Sequence, residues 1–245
     1  MAKDKKVDKN EKKRLARLFI KITSFILLSI FLYFWSIGII RTFIQYIQSS
    51  DALMGVPRPF FYFMSSFLAG IFIIAIFMKH FTKHYLYCHE LTHALFGLLT
   101  GSSISKLKVS KDSASVNVSR PNLVVFLAPY IISLHAILAL FLYGCVIIAF
   151  PKSGNAIHYL FTILIGLASA FHFIFTIKSL LQEQTDIERS GFFISYLSIT
   201  TFNLAGAMTI ITCIDEISFS YFIKSSLSYT FDTIAKLWVT AFSLF

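Results

Sequence analysis

Five stretches of this chain are apolar over 20 residues or more, at about Leu18–Ile40, Pro59–Phe81, Leu123–Phe150, Ile157–Leu180 and Gly191–Ile214. A helix rises about 1.5 Å per residue, so roughly 20 apolar residues cross the ~30 Å hydrocarbon core of a bilayer. No other feature limits the fold as strongly. Backbone groups in lipid must hydrogen-bond within their own segment, which makes each stretch a helix. A sixth segment, Tyr85–Gly101, is shorter and carries His89, Glu90 and His93. Such groups are costly in lipid and are expected to face a protein interior or a wet cavity. Residues 215–245 mix Lys224, Asp232 and Lys236 with Phe, Ile and Trp238, which suits an interfacial amphipathic helix or a further span.

Charge supports the same class. Only 14% of residues are charged and 56% are hydrophobic, with a mean hydropathy of +0.73, whereas a soluble domain carries roughly 25% charged residues. An ordinary soluble enzyme is excluded. The net charge of +10 is not a nucleic-acid footprint, because half of the excess sits in residues 1–17, directly before the first apolar run. A basic tail in that place is an orientation signal that keeps the N-terminus cytoplasmic. The first apolar run is too long for a signal-peptide core and lacks a small-residue cleavage site, so it reads as a retained span. Cys88, Cys145 and Cys213 show neither a disulfide framework nor a C-x-x-C spacing.

The expected architecture is therefore an all-α polytopic membrane protein with about six transmembrane helices. Residues 1–17 form the tail, 18–81 two N-terminal spans, 82–214 a core, and 215–245 the C-terminal segment. Inside the core, Ile104–Val109 and Ala114–Val118 alternate polar and apolar residues around Ser110-Lys-Asp-Ser113, which predicts a β-hairpin over 104–118. Counting crossings from a cytoplasmic N-terminus brings Lys79 and Lys83 out on the cytoplasmic side. His89 then lies about 9 Å along a helix that re-enters from that face.

Residues 89–93 read His-Glu-Leu-Thr-His. Positions i and i+4 share one helix face, so both imidazoles can ligate one Zn²⁺ while Glu90 reaches a water beside the ion. The metal lowers the pKa of water towards about 7, and a carboxylate is suited to take the proton released as a carbonyl is attacked. With seven His and five Glu in 245 positions, about 0.004 chance matches to H-E-x-x-H are expected. Glu90 is also the single carboxylate within the six apolar segments. A merely structural polar face is the weaker reading, since two imidazoles and an acid would need three partners.

A hydrolytic zinc site has three protein ligands and one open position. Asp51, Asp215 and Glu216 fall on the opposite side by the same count of crossings. Glu183, Asp186 and Glu188 lie at the junction level with His89. Asp186, at the mouth of the last core span, is preferred, with Glu183 and Glu188 as alternatives.

Taken together, His89-Glu90-Leu91-Thr92-His93 in a membrane segment, Ala94-Leu-Phe-Gly-Leu-Leu-Thr-Gly101 leading to a hairpin, Leu127-Ala-Pro-Tyr130, and Gln184-Thr-Asp-Ile187 followed by Gly191 resemble the site-2 protease family of intramembrane zinc metalloproteases. The resemblance implies one Zn²⁺ per chain on His89, His93 and Asp186, with Glu90 as the base, in a core from Tyr85 to Ile214. It also implies a multi-pass protein of a bacterial inner membrane. Two departures mark a compact, divergent branch. Asp186 is followed by Ile187 where the family commonly has Asp-Gly near an Asn-Pro element, and no soluble peptide-binding (PDZ) domain is expected.

The other polar residues rank lower. His80 and His84 also sit four apart, a spacing shared with membrane di-iron enzymes, but those gather eight or more histidines and this chain has seven. They read as an interfacial basic cluster with Lys79 and Lys83. His172, mid-span and ahead of Asp186, is a candidate to support the metal ligands. Tyr130 and Asn203 are candidates to hydrogen-bond a developing oxyanion, and His135 carries less weight.

The expected function is hydrolysis of a peptide bond in a transmembrane or membrane-adjacent protein substrate near the cytoplasmic side. The Ile104–Val109 edge is expected to pair with unwound substrate. The alternatives are a zinc-binding transporter or sensor without hydrolysis, or a catalytically silent membrane scaffold.

Overall fold

The computed structural model describes residues 2–49, 58–110, 113–152, 154–214 and 219–243, with side chains from residue 22 onward except those at 24, 46, 49, 58, 219 and 242. The side chains of the basic tail, and Asp51, Asp112, Asp215 and Glu216, lie outside that set. The described chain is mostly helical: α1 (Ala2–Ser49), α2 (Arg58–Leu99), α3 (Leu123–Ile131), α4 (Leu134–Ala149), α5 (Asn155–Leu180), α6 (Thr185–Ser190), α7 (Phe192–Ile214) and α8 (Phe219–Phe242). The expected hairpin forms between α2 and α3 as β1 (Ile104–Val109) and β2 (Ala114–Val118). These strands pair antiparallel from Ile104↔Val118 to Val109↔Ala114. A register shift falls between Ser105 and Lys108, where Lys106 takes φ 51°.

Among the described residues, four helical stretches are long and apolar enough to cross a membrane: Phe25–Gln45, Pro59–Leu99, Asn155–Leu180 and Phe192–Ile214. Helices α3 and α4 make a fifth if the pair, bent by 70°, counts as one span. Large apolar side chains face outward on the long helices, including Leu27, Phe72, Ile148, Leu164 and Phe193. Water does not tolerate so broad an apolar exterior, whereas lipid does. The count of six separate spans changes because Pro59–Phe81 and all of Tyr85–Gly101 up to Leu99 belong to one 42-residue helix. Its interior holds one non-helical residue, Phe77 (φ −101°, ψ 19°), which kinks the rod without reversing it. No glycine or proline separates the two apolar runs, so nothing breaks the helix between them. His89 therefore continues away from Pro59 and does not re-enter. Helix α8 is not among the candidate spans; its Phe222, Ser226 and Thr230 form a buried stripe.

Close approach of small residues joins the long helices. On α2, Ser66 and Gly70 face Gly166 and Ala170 of α5, four-residue spacings that let backbones meet. A Cβ at Gly166 would collide with Ser66 Oγ and lie 2.6 Å from the Phe63 carbonyl. Because Gly70 meets Ala170 while Thr82 meets Lys178 and Tyr85 meets Ser179, α2 and α5 run parallel. In the same way α1 parallels α7, through Phe25–Phe193 and Ser36–Thr201. Phe43 of α1 meets Phe60 of α2, so α1 and α2 are antiparallel. The N-terminal ends of α1 and α7 thus share one end of the bundle with the C-terminal ends of α2 and α5. The histidine motif lies at that end. The hairpin rests on it through Gly97, where a Cβ would sit 2.8 Å from Ile104 Cδ1 and 3.0 Å from Val118 Cγ1.

Candidate metal centre

Three side chains from two helices converge on one point. Helix α2 presents His89 and His93 one turn apart, with their Nε2 atoms 3.2 Å from each other. Asp186 arrives from the six-residue α6, its Oδ2 lying 3.1 Å from His93 Nε2 and 3.9 Å from His89 Nε2. The adjacent Ile187 anchors α6, being 2% exposed and packed with Leu127, Tyr130 and Ile199. Gly191, at φ 87°, ends that turn before α7 begins. Glu183 and Glu188, the alternative third ligands, are exposed and not part of the triangle.

The triangle fits a zinc ion by its dimensions. Bonds of about 2.0–2.2 Å meeting at tetrahedral angles place N and O ligands roughly 3.3 Å apart, against the 3.1, 3.2 and 3.9 Å found. Two imidazoles and one carboxylate are a donor set suited to Zn²⁺ and leave its fourth position open. Asp186 lies outside the spanning helices. Burial works to raise its carboxyl, but hydrogen bonds and charge from His89 and His93 more than offset this and hold it well below the ordinary carboxylate range.

Neighbouring groups aim the ligand atoms. His93 Nδ1–H donates to the Val125 carbonyl at 2.8 Å. That carbonyl is free because its helical partner four residues on is Pro129, which has no N–H. The Ala-Pro-Tyr element of α3 thereby supplies an acceptor that orients His93 and directs its Nε2 towards His89 and Asp186. On His89, Nδ1 lies 3.0 Å from the Tyr85 hydroxyl, which is 2.7 Å from Ser179 Oγ. With Nδ1–H donating to Tyr85 and Tyr85 O–H donating to Ser179, the Nε2 lone pair is left for an ion. Sequence reasoning passed over Tyr85, Ser179 and Val125. The i, i+4 step from Tyr85 to His89 is the one signal that was visible.

The remaining candidates form a connected layer beneath. The Tyr130 ring meets His89 edge to face at 5.2 Å, and its hydroxyl donates to Gln184 Oε1 at 3.2 Å. Asn203 Nδ2 donates to the Tyr130 and Ile199 carbonyls, both at 2.8 Å, while its Oδ1 is 3.2 Å from His172 Nε2. The donors of Tyr130 and Asn203 are thus already engaged, which leaves neither free for an oxyanion. Tyr130 ties α3 to the start of α6, and Asn203 ties α7 to α3 and α5. His172 touches this network and not the ligands themselves. Glu90 is half-buried beside the triangle, against the backbone of Val116. The strand facing the site is therefore β2 and not the β1 edge expected.

Comparison of the chain with protein-family models, with curated proteins and with solved structures gives no match.

Proposed function

We propose that the protein is an intramembrane zinc metalloprotease, similar in chemistry to site-2 proteases. The observation carrying this reading is the convergence of His89, His93 and Asp186 with the non-ligand carboxylate Glu90 next to them. A Zn²⁺ held by the three ligands would supply a polarised carbonyl and a water acidified towards neutrality. Glu90 would accept a proton at its carboxylate from the attacking water as the water oxygen adds to the carbonyl carbon, and would pass it to the departing amide nitrogen as the C–N bond breaks. Tyr85 and the Val125 carbonyl keep the imidazoles in register during these transfers. A helical peptide bond is shielded, so the substrate is extended on arrival, and the β2 edge beside Glu90 offers its backbone partners.

The substrate in this reading is a transmembrane or membrane-adjacent protein, cut near the cytoplasmic side of a bacterial inner membrane. The N-terminus of α1 lies on that same side. The chain crosses with α1, the first half of α2, the bent α3–α4 pair, α5 and α7, and the motif-bearing end of α2 is the segment expected as a sixth span. The test is zinc content and cleavage of a reporter membrane substrate for the wild type, Glu90→Gln and His93→Ala. Glu90→Gln is expected to retain zinc and lose cleavage, and His93→Ala to lose both. Cleavage surviving in Glu90→Gln would overturn the mechanism, whereas a wild type that holds zinc and cleaves nothing would favour a zinc-binding transporter, sensor or scaffold.

A further inference from the structure

A second constellation lies one turn back along α2. His84 and Cys88 are four residues apart on one helix face, and the bend between α3 and α4 brings His135, in the first turn of α4, against them. The His84 and His135 Nε2 atoms are 2.8 Å apart, and Cys88 Sγ lies 3.7 Å from the first and 3.8 Å from the second. In the sequence His84 and Cys88 read as parts of other features and His135 as an isolated residue. The fold makes them a closed triangle. Phe171 backs both rings, at 5.8 Å from His84 and 4.8 Å from His135.

The dimensions match an ion better than they match packing. Bonds of about 2.0–2.1 Å to nitrogen and about 2.3 Å to sulfur at tetrahedral angles put N and S ligands roughly 3.6 Å apart and two nitrogens roughly 3.3 Å apart. Both S–N edges lie within about 0.2 Å of that figure. The short N–N edge is a hydrogen bond between the two rings, and it opens by about half an ångström when an ion replaces the shared proton. A histidine pair alone would be satisfied by its mutual hydrogen bond, with no need for a thiol on the same point. Beside the triangle is a cavity of about 20 Å³, lined in part by Cys88, His89, Thr92, His135 and His172. That is room for one water-sized ligand, which needs about 10–15 Å³, against Cys88 and His135; His84 does not line it.

We propose that His84, Cys88 and His135 form a second metal site, for a borderline-soft d¹⁰ cation, Zn²⁺ or Cu⁺, held by two imidazoles and a thiolate. Thiolate ligation selects such ions over Mg²⁺ or Ca²⁺. The site shares no ligand with the first one and does not depend on the hydrolytic reading. An ion there clamps α4 to α2 immediately below His89, at the kink that carries α3 across the first site.

Cobalt tests the site, because a thiolate ligand gives Co²⁺ an intense charge-transfer absorption and the His89–His93–Asp186 triangle contains no sulfur. The full chain, carrying Cys145→Ser and Cys213→Ser to remove the other thiols, is stripped of metal in detergent and reloaded with Co²⁺. Expected are about two equivalents per chain together with the thiolate band. Cys88→Ser, nearly isosteric, and His135→Ala are each expected to remove the band and lower the stoichiometry to about one. His93→Ala is expected to keep the band while losing the other equivalent. Titration with Zn²⁺ or with Cu⁺ then identifies the ion by which one displaces the band. The proposal is overturned if the parent protein shows neither a thiolate band nor Cys88-dependent Cu⁺ binding. It is equally overturned if the band survives both Cys88→Ser and His135→Ala.

Discussion

The pair α2 and α5 is held together in two different ways along its length. In the lower half, Ser66 and Gly70 lie against Gly166 and Ala170, and contact depends on the absence of side-chain volume. In the upper half, Tyr85 reaches Ser179 and Thr82 accepts from Lys178 Nζ at 3.3 Å, so contact depends on direction. Apolar helices gain little from burying surface when lipid is equally apolar, so close packing must join them. Hydrogen bonds cost helices in lipid their simplicity but fix angles, which a metal site requires. The two regimes meet near the kink at Phe77. The lower half is thus a spacer and the upper half an orienting frame.

Substitutions in the two halves should separate stability from chemistry. The largest effect is expected for Glu90→Gln, with cleavage of a membrane reporter falling by about 10²–10⁴-fold while zinc content is unchanged. Tyr85→Phe removes the acceptor for His89 Nδ1–H and should weaken zinc binding by roughly 10–100-fold in a chelator competition, with the helix pair intact. Gly166→Ala is the contrasting case. It should destabilise the bundle in detergent by about 1–3 kcal/mol through overpacking, yet leave the zinc affinity of the folded fraction unaltered. If Gly166→Ala changed zinc affinity as much as Tyr85→Phe did, the two halves would not be separable. The smallest effect is expected for Pro129→Ala, which restores an N–H to α3 that competes for the Val125 carbonyl. Zinc affinity should drop by no more than about tenfold, because Val125 can still accept two hydrogen bonds.

The hairpin offers a further discrimination. A proline in β2 at Val118 would remove a donor from the free edge without adding bulk at Glu90, because the Ser119 N–H bonds to the Ser103 carbonyl inside the hairpin and neighbouring residues face the opposite way. Reporter cleavage should fall while zinc content holds, since proline in a strand blocks pairing. Unchanged cleavage would exclude strand addition as the mode of substrate binding.

Much of the site was legible along the chain because its information is local. His89, Glu90 and His93 share a helix turn, and spacing alone puts two imidazoles on one face. Asp186 was reachable by counting crossings, and its position agrees even though the count itself changes: α2 does not turn back between Phe81 and Tyr85. The count misled because hydropathy measures length in lipid and is blind to whether a helix stops. A single non-helical residue at Phe77 leaves no mark in composition. Tyr130 and Asn203 show the same limit of local pattern. Their hydroxyl and amide looked available until Gln184 and the Tyr130 carbonyl were seen to engage them.

By itself the sequence determined the membrane class, the helices, the hairpin and the paired histidines, since hydropathy and the 3.6-residue period act over short separations. Only the tertiary structure decided that α2 runs unbroken through both apolar stretches, that a proline in α3 frees the carbonyl orienting His93, and that His135 closes a triangle with His84 and Cys88. The last two outcomes depend on residues 32 to 51 positions apart meeting across helices. No local period encodes such meetings, because packing sets them through the small residues that let one backbone approach another.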